Sequence, residues 1–110
     1  MWLINLTKKT TVTTDAKEAL GFWDRMLGLL NNKNPRSLIF YTRFGIHTFG
    51  LDQPLDVLVL DKGFRVVQLK ENLKPNRLFF WNPRYLMVVE LPINSIRLSK
   101  TSLGNQLKVE

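Results

Sequence analysis

The sequence predicts a mainly β fold: an antiparallel sandwich or barrel, jelly-roll-like, of about seven strands with one N-terminal helix. Short runs of β-branched, aromatic and other apolar residues recur at close spacing, and most of them end at glycine, proline or asparagine. Only one early segment has helical periodicity. Because strands and helices do not alternate along the chain, a doubly wound parallel sheet is not expected.

Length and composition limit the class of protein. The chain has 110 residues, 45% of them hydrophobic, which predicts a single domain over residues 1–110 with a core of its own. Cysteine is absent, so disulfides, zinc–thiolate sites and thiol nucleophiles are excluded. No secretory signal and no apolar run of about 20 residues is present. The expectation is a soluble cytoplasmic protein with no membrane association.

The N-terminal third contains the predicted helix. Trp2–Leu6 and Lys9–Thr14 read as a strand pair or one bent strand. The helix is predicted over Asp15–Leu30, with Thr14 or Asp15 as its cap and with Glu18 three residues after Asp15, as in a capping box. Its apolar stripe has spacings of four, three, four and three residues: Ala16, Leu20, Trp23, Leu27 and Leu30.

The rest of the chain reads as strands and turns. The run "VLVL" within Leu55–Asp61 predicts a strand covered on both faces. Lys62-Gly63 predicts a hairpin turn in which glycine supplies the positive φ, and "ENLKPN" predicts a loop. The other predicted strands are Ser37–Thr42, Phe64–Leu69, Arg77–Trp81, Tyr85–Leu91 and a short last strand in "NQLKVE".

Several short motifs of this chain, taken in their order along the sequence, resemble those of a known protein family. "RMLGLL", "LIFYT", "GIHTFGLDQPLDVLVLDKGFRVV", "LKP" and "VVELP" resemble the family catalogued as domain of unknown function 192, from about Val12 to Glu110. The resemblance implies a mainly β, jelly-roll-like or barrel-like fold with one helix near the N-terminus, and it implies no reaction or cofactor. The chain departs from the family pattern twice: Asn94 stands where a glycine is typical, and Asn105 where an aspartate is typical.

The most specific part of that resemblance is also the polar part of the chain. The candidate binding residues lie in the loop from residue 47 to residue 56 and on a later strand: His47, Thr48, Phe49, Asp52, Asp56 and Glu90. His47 could act as a general base oriented by a carboxylate, or its ring could pin the loop by hydrogen bonds. Asp56, at a strand entrance, is expected to accept hydrogen bonds from nearby backbone N–H groups. Glu90 either faces solvent on an edge strand or is buried against a partner such as Arg43, Arg65 or His47.

Other site classes find little support. One histidine and no cysteine disfavour zinc, copper and iron, and no EF-hand spacing supports calcium. No phosphate loop, nucleophile elbow or other catalytic motif is present, so no catalytic residue, metal or cofactor is predicted. The formal net charge is +7, but its dispersion along the chain predicts at most weak polyanion binding.

A second candidate surface lies in the aromatic stretch Phe79–Tyr85. Three adjacent aromatic side chains cannot all point inward from one strand, so at least one is expected to be exposed or to lie under a loop. The preferred interpretation is core packing plus a modest exposed patch, which would suit a protein partner. The sequence therefore favours a small non-catalytic binding or protein-interaction module over an enzyme. The alternative is a small-molecule-binding domain or hydrolase-like enzyme with a site around His47, Asp52, Asp56 and Glu90.

Overall fold

A five-stranded sheet forms the centre of the molecule, and its strands lie in the order β3 (Ala16–Glu18), β4 (Ser37–Tyr41), β9 (Met87–Pro92), β6 (Leu55–Leu60) and β7 (Val66–Leu73). The computed structural model describes residues 1–19, 37–43 and 45–110. In those residues the elements, numbered in chain order, are β1 Leu3–Asn5, β2 Thr10–Thr13, β3 Ala16–Glu18, β4 Ser37–Tyr41, β5 Gly45–His47, β6 Leu55–Leu60, β7 Val66–Leu73, β8 Leu78–Phe80, β9 Met87–Pro92, α1 Ser95–Ser99 and β10 Leu107–Val109.

Strand β6 shows why the central sheet is stable. Val57, Leu58, Val59 and Leu60 are each at most 1% exposed, so side chains on both faces of the strand are removed from water. Antiparallel partners flank it, β9 on one side and β7 on the other. Both faces are covered, as the four consecutive apolar residues predict.

The two faces of the central sheet pack against two different smaller sheets. On one face, Leu58 and Leu91 share an apolar cluster with Leu3 and Leu107, which belong to the three-stranded sheet β10-β1-β2. On the other face, Val59 and Val88 share a cluster with Ile46 and Trp81, at or next to the β5–β8 pair. The described strands form a sandwich-like stack and do not close into a barrel, which confirms the mainly β prediction.

The predicted start of the N-terminal helix is wrong. Ala16–Glu18 is strand β3, which pairs in parallel with Ser37–Ile39 of β4. Ala19 continues this contact, because its N–H donates to the Ile39 carbonyl at 2.9 Å. Pairing with a strand far along the sequence replaces the proposed capping box of Asp15 and Glu18. The remainder of the predicted helix, residues 20–30, lies outside the described residues.

The β6–β7 hairpin forms where expected but with a different turn. Phe64, not Gly63, has the positive φ, at 64°. The Phe64 N–H donates to the Asp61 carbonyl at 3.0 Å, and Asp61 Oδ1 accepts hydrogen bonds from the backbone N–H groups of Gly63 and Arg65. Strand β7 also continues to Leu73, through part of the segment that the sequence assigned to a loop. The aspartate therefore organises this turn by accepting backbone hydrogen bonds.

The segment after β9, which the sequence left ambiguous, contains helix α1. The residue before it, Asn94, has φ 76°, a left-handed conformation that glycine adopts without strain and asparagine tolerates. Asparagine can therefore replace the glycine that the resembled family typically has at this position. Within the described residues, no helix is long and apolar enough to cross a membrane.

Candidate functional site

The six candidate residues do not converge on one place. Asp56 and Glu90 lie on neighbouring strands of the central sheet, but register places Asp56 opposite Leu91 and Val57 opposite Glu90. Because side chains alternate along a strand, Asp56 faces the same side as Leu58, and Glu90 faces the same side as Val88. The two carboxylates are therefore on opposite faces of the sheet and cannot act together on one ligand.

Asp56 is buried, with 1% of its surface exposed, and both of its carboxylate oxygens accept backbone hydrogen bonds. Oδ1 accepts from the N–H of Asn72 at 3.0 Å, and Oδ2 accepts from the N–H of Ile96 at 3.0 Å. Asn72 belongs to β7 and Ile96 to the first turn of α1. This geometry matches the sequence-based expectation of an aspartate that satisfies backbone donors at a strand entrance.

Glu90 is fully buried, at 0% exposure. Its strand, β9, is central, with β4 on one side and β6 on the other, so the alternative of an exposed edge strand is wrong. The residues opposite it in the sheet are Leu38 and Val57. The acid thus lies in the interior, on the face of the sheet that carries Val88.

Thr48 is buried at 0% exposure and joins its loop to the segment before β8. Its Oγ1 donates to the carbonyl of Lys74 at 2.7 Å and accepts from the N–H of Arg77 at 3.0 Å. The Thr48 backbone adds an N–H donated to the Arg77 carbonyl and a carbonyl that accepts from Asn76. These contacts fix the 74–77 segment against the end of β5.

His47 and Phe49 form a stacked pair. Their ring centroids are 5.1 Å apart with an angle of 24° between the ring planes, and His47 Nδ1 accepts a hydrogen bond from the Phe49 N–H at 3.3 Å. Asp52 is exposed in the connection between β5 and β6. The loop residues thus hold one another in place, and the imidazole contributes an acceptor to that local structure.

The pairing of β5 with β8 brings the two surfaces predicted from sequence together. His47 lies opposite Leu78, and Gly45 lies opposite Phe80. We name the outward-facing set His47, Phe49, Leu78 and Phe80 the β5–β8 patch. The exposed fractions of its three apolar side chains are 48% for Phe49, 56% for Leu78 and 62% for Phe80.

Alternation along β8 explains which aromatic residues are exposed. Phe79 and Trp81 point toward the core, with ring centroids 5.8 Å apart, and Phe80 points outward between them. Gly45 makes room for the Phe80 ring, because a Cβ at Gly45 would lie 2.7 Å from Phe80 Cδ1. The expectation that the aromatic run leaves a side chain exposed is confirmed at Phe80.

Exposed cations border the β5–β8 patch along the chain. Arg43 precedes β5, Arg77 directly precedes β8, and Lys74 lies in the segment that Thr48 holds. The connection between β5 and β6, residues 48–54, contains one acid, Asp52. Positive charge around an exposed apolar surface attracts an acidic partner and steers its approach.

A cleft of about 670 Å³ lies at another place, and sequence reasoning missed it. It opens where the β6–β7 turn faces the segment before β9, and none of the six candidate residues lines it. Its members are far apart in sequence, from Tyr41 to Met87. Of the lining residues, the sequence had placed only Arg84 and Tyr85 in a candidate surface, the aromatic stretch Phe79–Tyr85. The cleft itself was missed because no local pattern links these two residues to Tyr41 or Lys62.

Residues 1–19, 37–43 and 45–110 contain no cluster of side chains suited to binding a metal ion. In that part of the chain, no three His, Asp or Glu side chains are grouped so that they could hold an ion. The polar residues that the sequence singled out are instead distributed between a buried hydrogen-bonded position, the opposite sheet face and an exposed loop.

Known proteins resemble this chain both in sequence and in fold. No protein-family model matches the sequence. The chain is 30% identical over 112 residues to a UPF0127 protein of Pyrococcus horikoshii, with 96% of each chain covered. A protein of unknown function from Novosphingobium aromaticivorans superposes with a TM-score of 0.77 at 14% identity, covering 98% of this chain and 82% of that one.

A candidate transcription regulator from Sinorhizobium meliloti has the same fold. It superposes with a TM-score of 0.75 at 19% identity, and the match covers 97% of this chain and 89% of the other. At these identities the two structures establish the shared fold alone.

Proposed function

We propose that this chain, which belongs to the UPF0127 family, is a small non-catalytic binding module that holds an acidic, partly apolar protein segment on its β5–β8 patch. We also propose that the family is the one its motifs resemble, domain of unknown function 192, because the motif resemblance and the match to the P. horikoshii relative both extend over nearly the whole chain. A chain without cysteine suits a reducing compartment, and we place the module in the cytoplasm.

The exposed apolar side chains of the patch are the main support for this proposal. Leu78 and Phe80 occupy alternate positions of one short strand, and Phe49 stacks on the neighbouring His47. Contiguous exposed apolar residues on a soluble domain commonly mark a surface that binds another protein. Aromatic side chains held in one orientation lose little conformational entropy on binding, which makes them effective anchors.

The charge around the patch selects the chemistry of the partner. Arg43, Lys74 and Arg77 are exposed, and the chain as a whole carries a formal net charge of +7. A second copy of the chain would bring like charges together, whereas an acidic segment would be attracted. The occupant that this surface favours is therefore a protein segment with both acidic and large apolar side chains.

The alternative, an enzyme or small-molecule site around His47, Asp52, Asp56 and Glu90, has weaker support. It requires carboxylates that point to opposite faces of the central sheet, and one of them has both oxygens engaged by backbone N–H groups. Single-stranded nucleic acid is a second competitor, since exposed aromatic rings beside arginines can stack on bases. The S. meliloti neighbour's description as a candidate transcription regulator makes this competitor worth testing directly.

Selection from a random peptide-display library tests the proposal. We expect enriched peptides that combine Asp or Glu with Leu, Phe or Trp, and we expect synthetic copies to bind the wild type at least tenfold more tightly than Phe80→Ser. Leu98→Ser is the matched control, because Leu98 is 72% exposed but lies on α1. It should bind these peptides as the wild type does.

Three results would refute the proposal. The first is a library that yields no sequence-specific peptide. The second is selected peptides that bind wild type and Phe80→Ser equally. The third is a single-stranded oligonucleotide that binds more tightly than any selected peptide and loses affinity in Phe80→Ser, which would assign the patch to nucleic acid; steep weakening with added salt would accompany it.

A further inference from the structure

We infer that the cleft between the β6–β7 turn and the 82–87 segment binds a small organic anion, a flat aromatic body that carries one carboxylate or phosphate group. The cleft is separate from the β5–β8 patch, and a ligand could bind there whether or not the patch binds a protein partner. It rests on two rigid turns, an apolar floor and two exposed cations that face the same space.

The first wall is the turn Asp61–Phe64, which is fixed from within. Asp61 Oδ1 accepts hydrogen bonds from the N–H groups of Gly63 and Arg65, each at 2.9 Å. The Phe64 N–H closes the turn on the Asp61 carbonyl at 3.0 Å. Lys62 projects from a backbone that is already ordered, so binding does not have to order this wall.

The second wall is held in the same way. Asn82 Oδ1 accepts from the N–H of Arg84 at 3.0 Å, and the Asn82 carbonyl accepts from the N–H of Tyr85 at 3.0 Å. The Tyr85 carbonyl accepts from Nε1 of the buried Trp81 at 2.8 Å. The segment that carries Arg84 and Tyr85 is thereby anchored to the core.

The floor is made by the ends of three adjacent strands. Met87 of β9 lies opposite Tyr41 of β4 on one side and opposite Leu60 of β6 on the other. Leu60 is 1% exposed and Tyr41 is 53% exposed, so the row passes from the core to an accessible aromatic side chain. A flat apolar ligand body can lie on this row against the tyrosine.

The charge in the cleft favours an anion. Lys62 and Arg84 are exposed, and within the part of the chain that the structure describes neither forms an ion pair. Arg84 lies 5.8 Å from the centroid of the Tyr85 ring, which keeps its guanidinium near the cleft. Asp61 also lines the cleft, but its Oδ1 is directed to two backbone N–H groups, so two cations and one acid line the cleft and the balance of charge is positive.

The dimensions fit a small molecule. The volume of about 670 Å³ falls within the range of roughly 300–1,000 Å³ that is typical of ligand sites. An apolar surface with a few placed polar groups is also typical of such sites. Tyr41 and Tyr85 line the cleft, and each carries a phenol hydroxyl that can donate a hydrogen bond. A two-ring aromatic anion would place its rings on the floor and its charged group between Lys62 and Arg84.

Protein-observed NMR titration with three matched probes tests the site: 2-naphthoate, 2-naphthyl phosphate and the neutral 2-naphthylmethanol. We expect saturable shifts at amides of residues 60–63 and 84–87, and at least tenfold tighter binding of one or both anions than of the alcohol. Comparison of the two anions distinguishes a carboxylate site from a phosphate site. Lys62→Gln and Arg84→Gln should each weaken anion binding three- to tenfold and leave binding of the alcohol unchanged.

Arg97→Gln and Lys70→Gln are the controls, because both cations are exposed and neither lines the cleft. They should bind the anions within twofold of the wild type, and so should Phe80→Ser, which tests the other surface. The inference is overturned if no probe binds at millimolar concentration, if the alcohol binds as tightly as the anions, or if the shifts map to the β5–β8 patch. It is also overturned if Arg84→Gln binds the anions unchanged.

Discussion

Oδ2 of Asp56 accepts a hydrogen bond from the backbone N–H of Ile96, 3.0 Å away, although the two residues are 40 positions apart. Helix α1 needs this acceptor because its own N-cap, Asn94, is left-handed and makes no side-chain capping hydrogen bond. Since Oδ1 of the same carboxylate accepts from Asn72, a single side chain joins β6, β7 and α1. It performs the function of a helix cap from a distant strand.

Replacement of Asp56 by alanine should therefore destabilise the fold without touching any exposed surface. Two backbone N–H groups would lose a charged acceptor, and the one on Ile96 is buried. We expect the free energy of unfolding to fall by about 2–4 kcal/mol, measured by urea denaturation. Amide exchange in α1 should also accelerate, because the first turn of the helix would lose its cap.

Glu71→Ala is the control for this prediction, since Glu71 is an exposed acid on β7. Its loss should change the free energy of unfolding by less than about 0.5 kcal/mol. A stable Asp56→Ala protein with unchanged exchange in α1 would contradict the structural role assigned to the carboxylate.

The sequence correctly predicted the features of this fold that are determined by neighbouring residues along the chain. The apolar run Val57–Leu60 identified a strand buried on both faces, and the place of Asp56 at a strand entrance identified it as an acceptor for backbone N–H groups. Its donors could not be named, because Asn72 and Ile96 reach it only through the tertiary fold. The prediction that a helix starts at Asp15 was wrong for the same reason. The pairing of β3 with β4 is a long-range contact, and it overrides the local propensity for a helix.

The candidate site was predicted in part. The sequence indicated His47 as part of a polar loop and Phe80 as part of an aromatic stretch. The two residues are neighbours because β5 pairs with β8, and the sequence did not predict this pairing. The cleft was missed because its lining comes from Tyr41, the 60–63 segment and the 84–87 segment. No periodicity or motif connects residues that meet only at the ends of three strands.

The unusual Asn105 also has a physical explanation. It is 5% exposed, and its Oδ1 accepts hydrogen bonds from Asn5 Nδ2 at 2.9 Å and from the N–H of Ser102 at 3.0 Å. An aspartate at this position could accept the same two bonds. Asn105 lines neither the cleft nor the β5–β8 patch, so this departure from the resembled family removes no acid from either surface.

Thr48→Val should loosen the segment before β8. Valine has nearly the same shape as threonine but lacks the hydroxyl that donates to Lys74 and accepts from Arg77. We expect a loss of about 1–3 kcal/mol in the free energy of unfolding and faster amide exchange at Arg77. Thr48→Ser, which keeps the hydroxyl, should keep the slow exchange at Arg77. Equal exchange rates in the two variants would show that the hydroxyl does not hold this segment.

His47→Ala distinguishes a loop-stabilising histidine from a catalytic one. The variant would lose the acceptor for the Phe49 N–H and the stacked ring. Because this hydrogen bond is exposed and 3.3 Å long, we expect the free energy of unfolding to fall by about 1 kcal/mol, at the low end of the range for such contacts. The Phe49 amide should exchange faster in the same variant.

His47→Asn is the informative companion, because an asparagine Oδ1 can occupy nearly the same position as the histidine Nδ1 and accept from the Phe49 N–H. It should recover part of the stability and the slow exchange of the Phe49 amide, although it cannot serve as a general base. If His47→Ala unfolds at the same urea concentration as the wild type, the histidine does not stabilise the loop. The alternative site around His47 would then gain support, because the imidazole would be present for a reason other than stability.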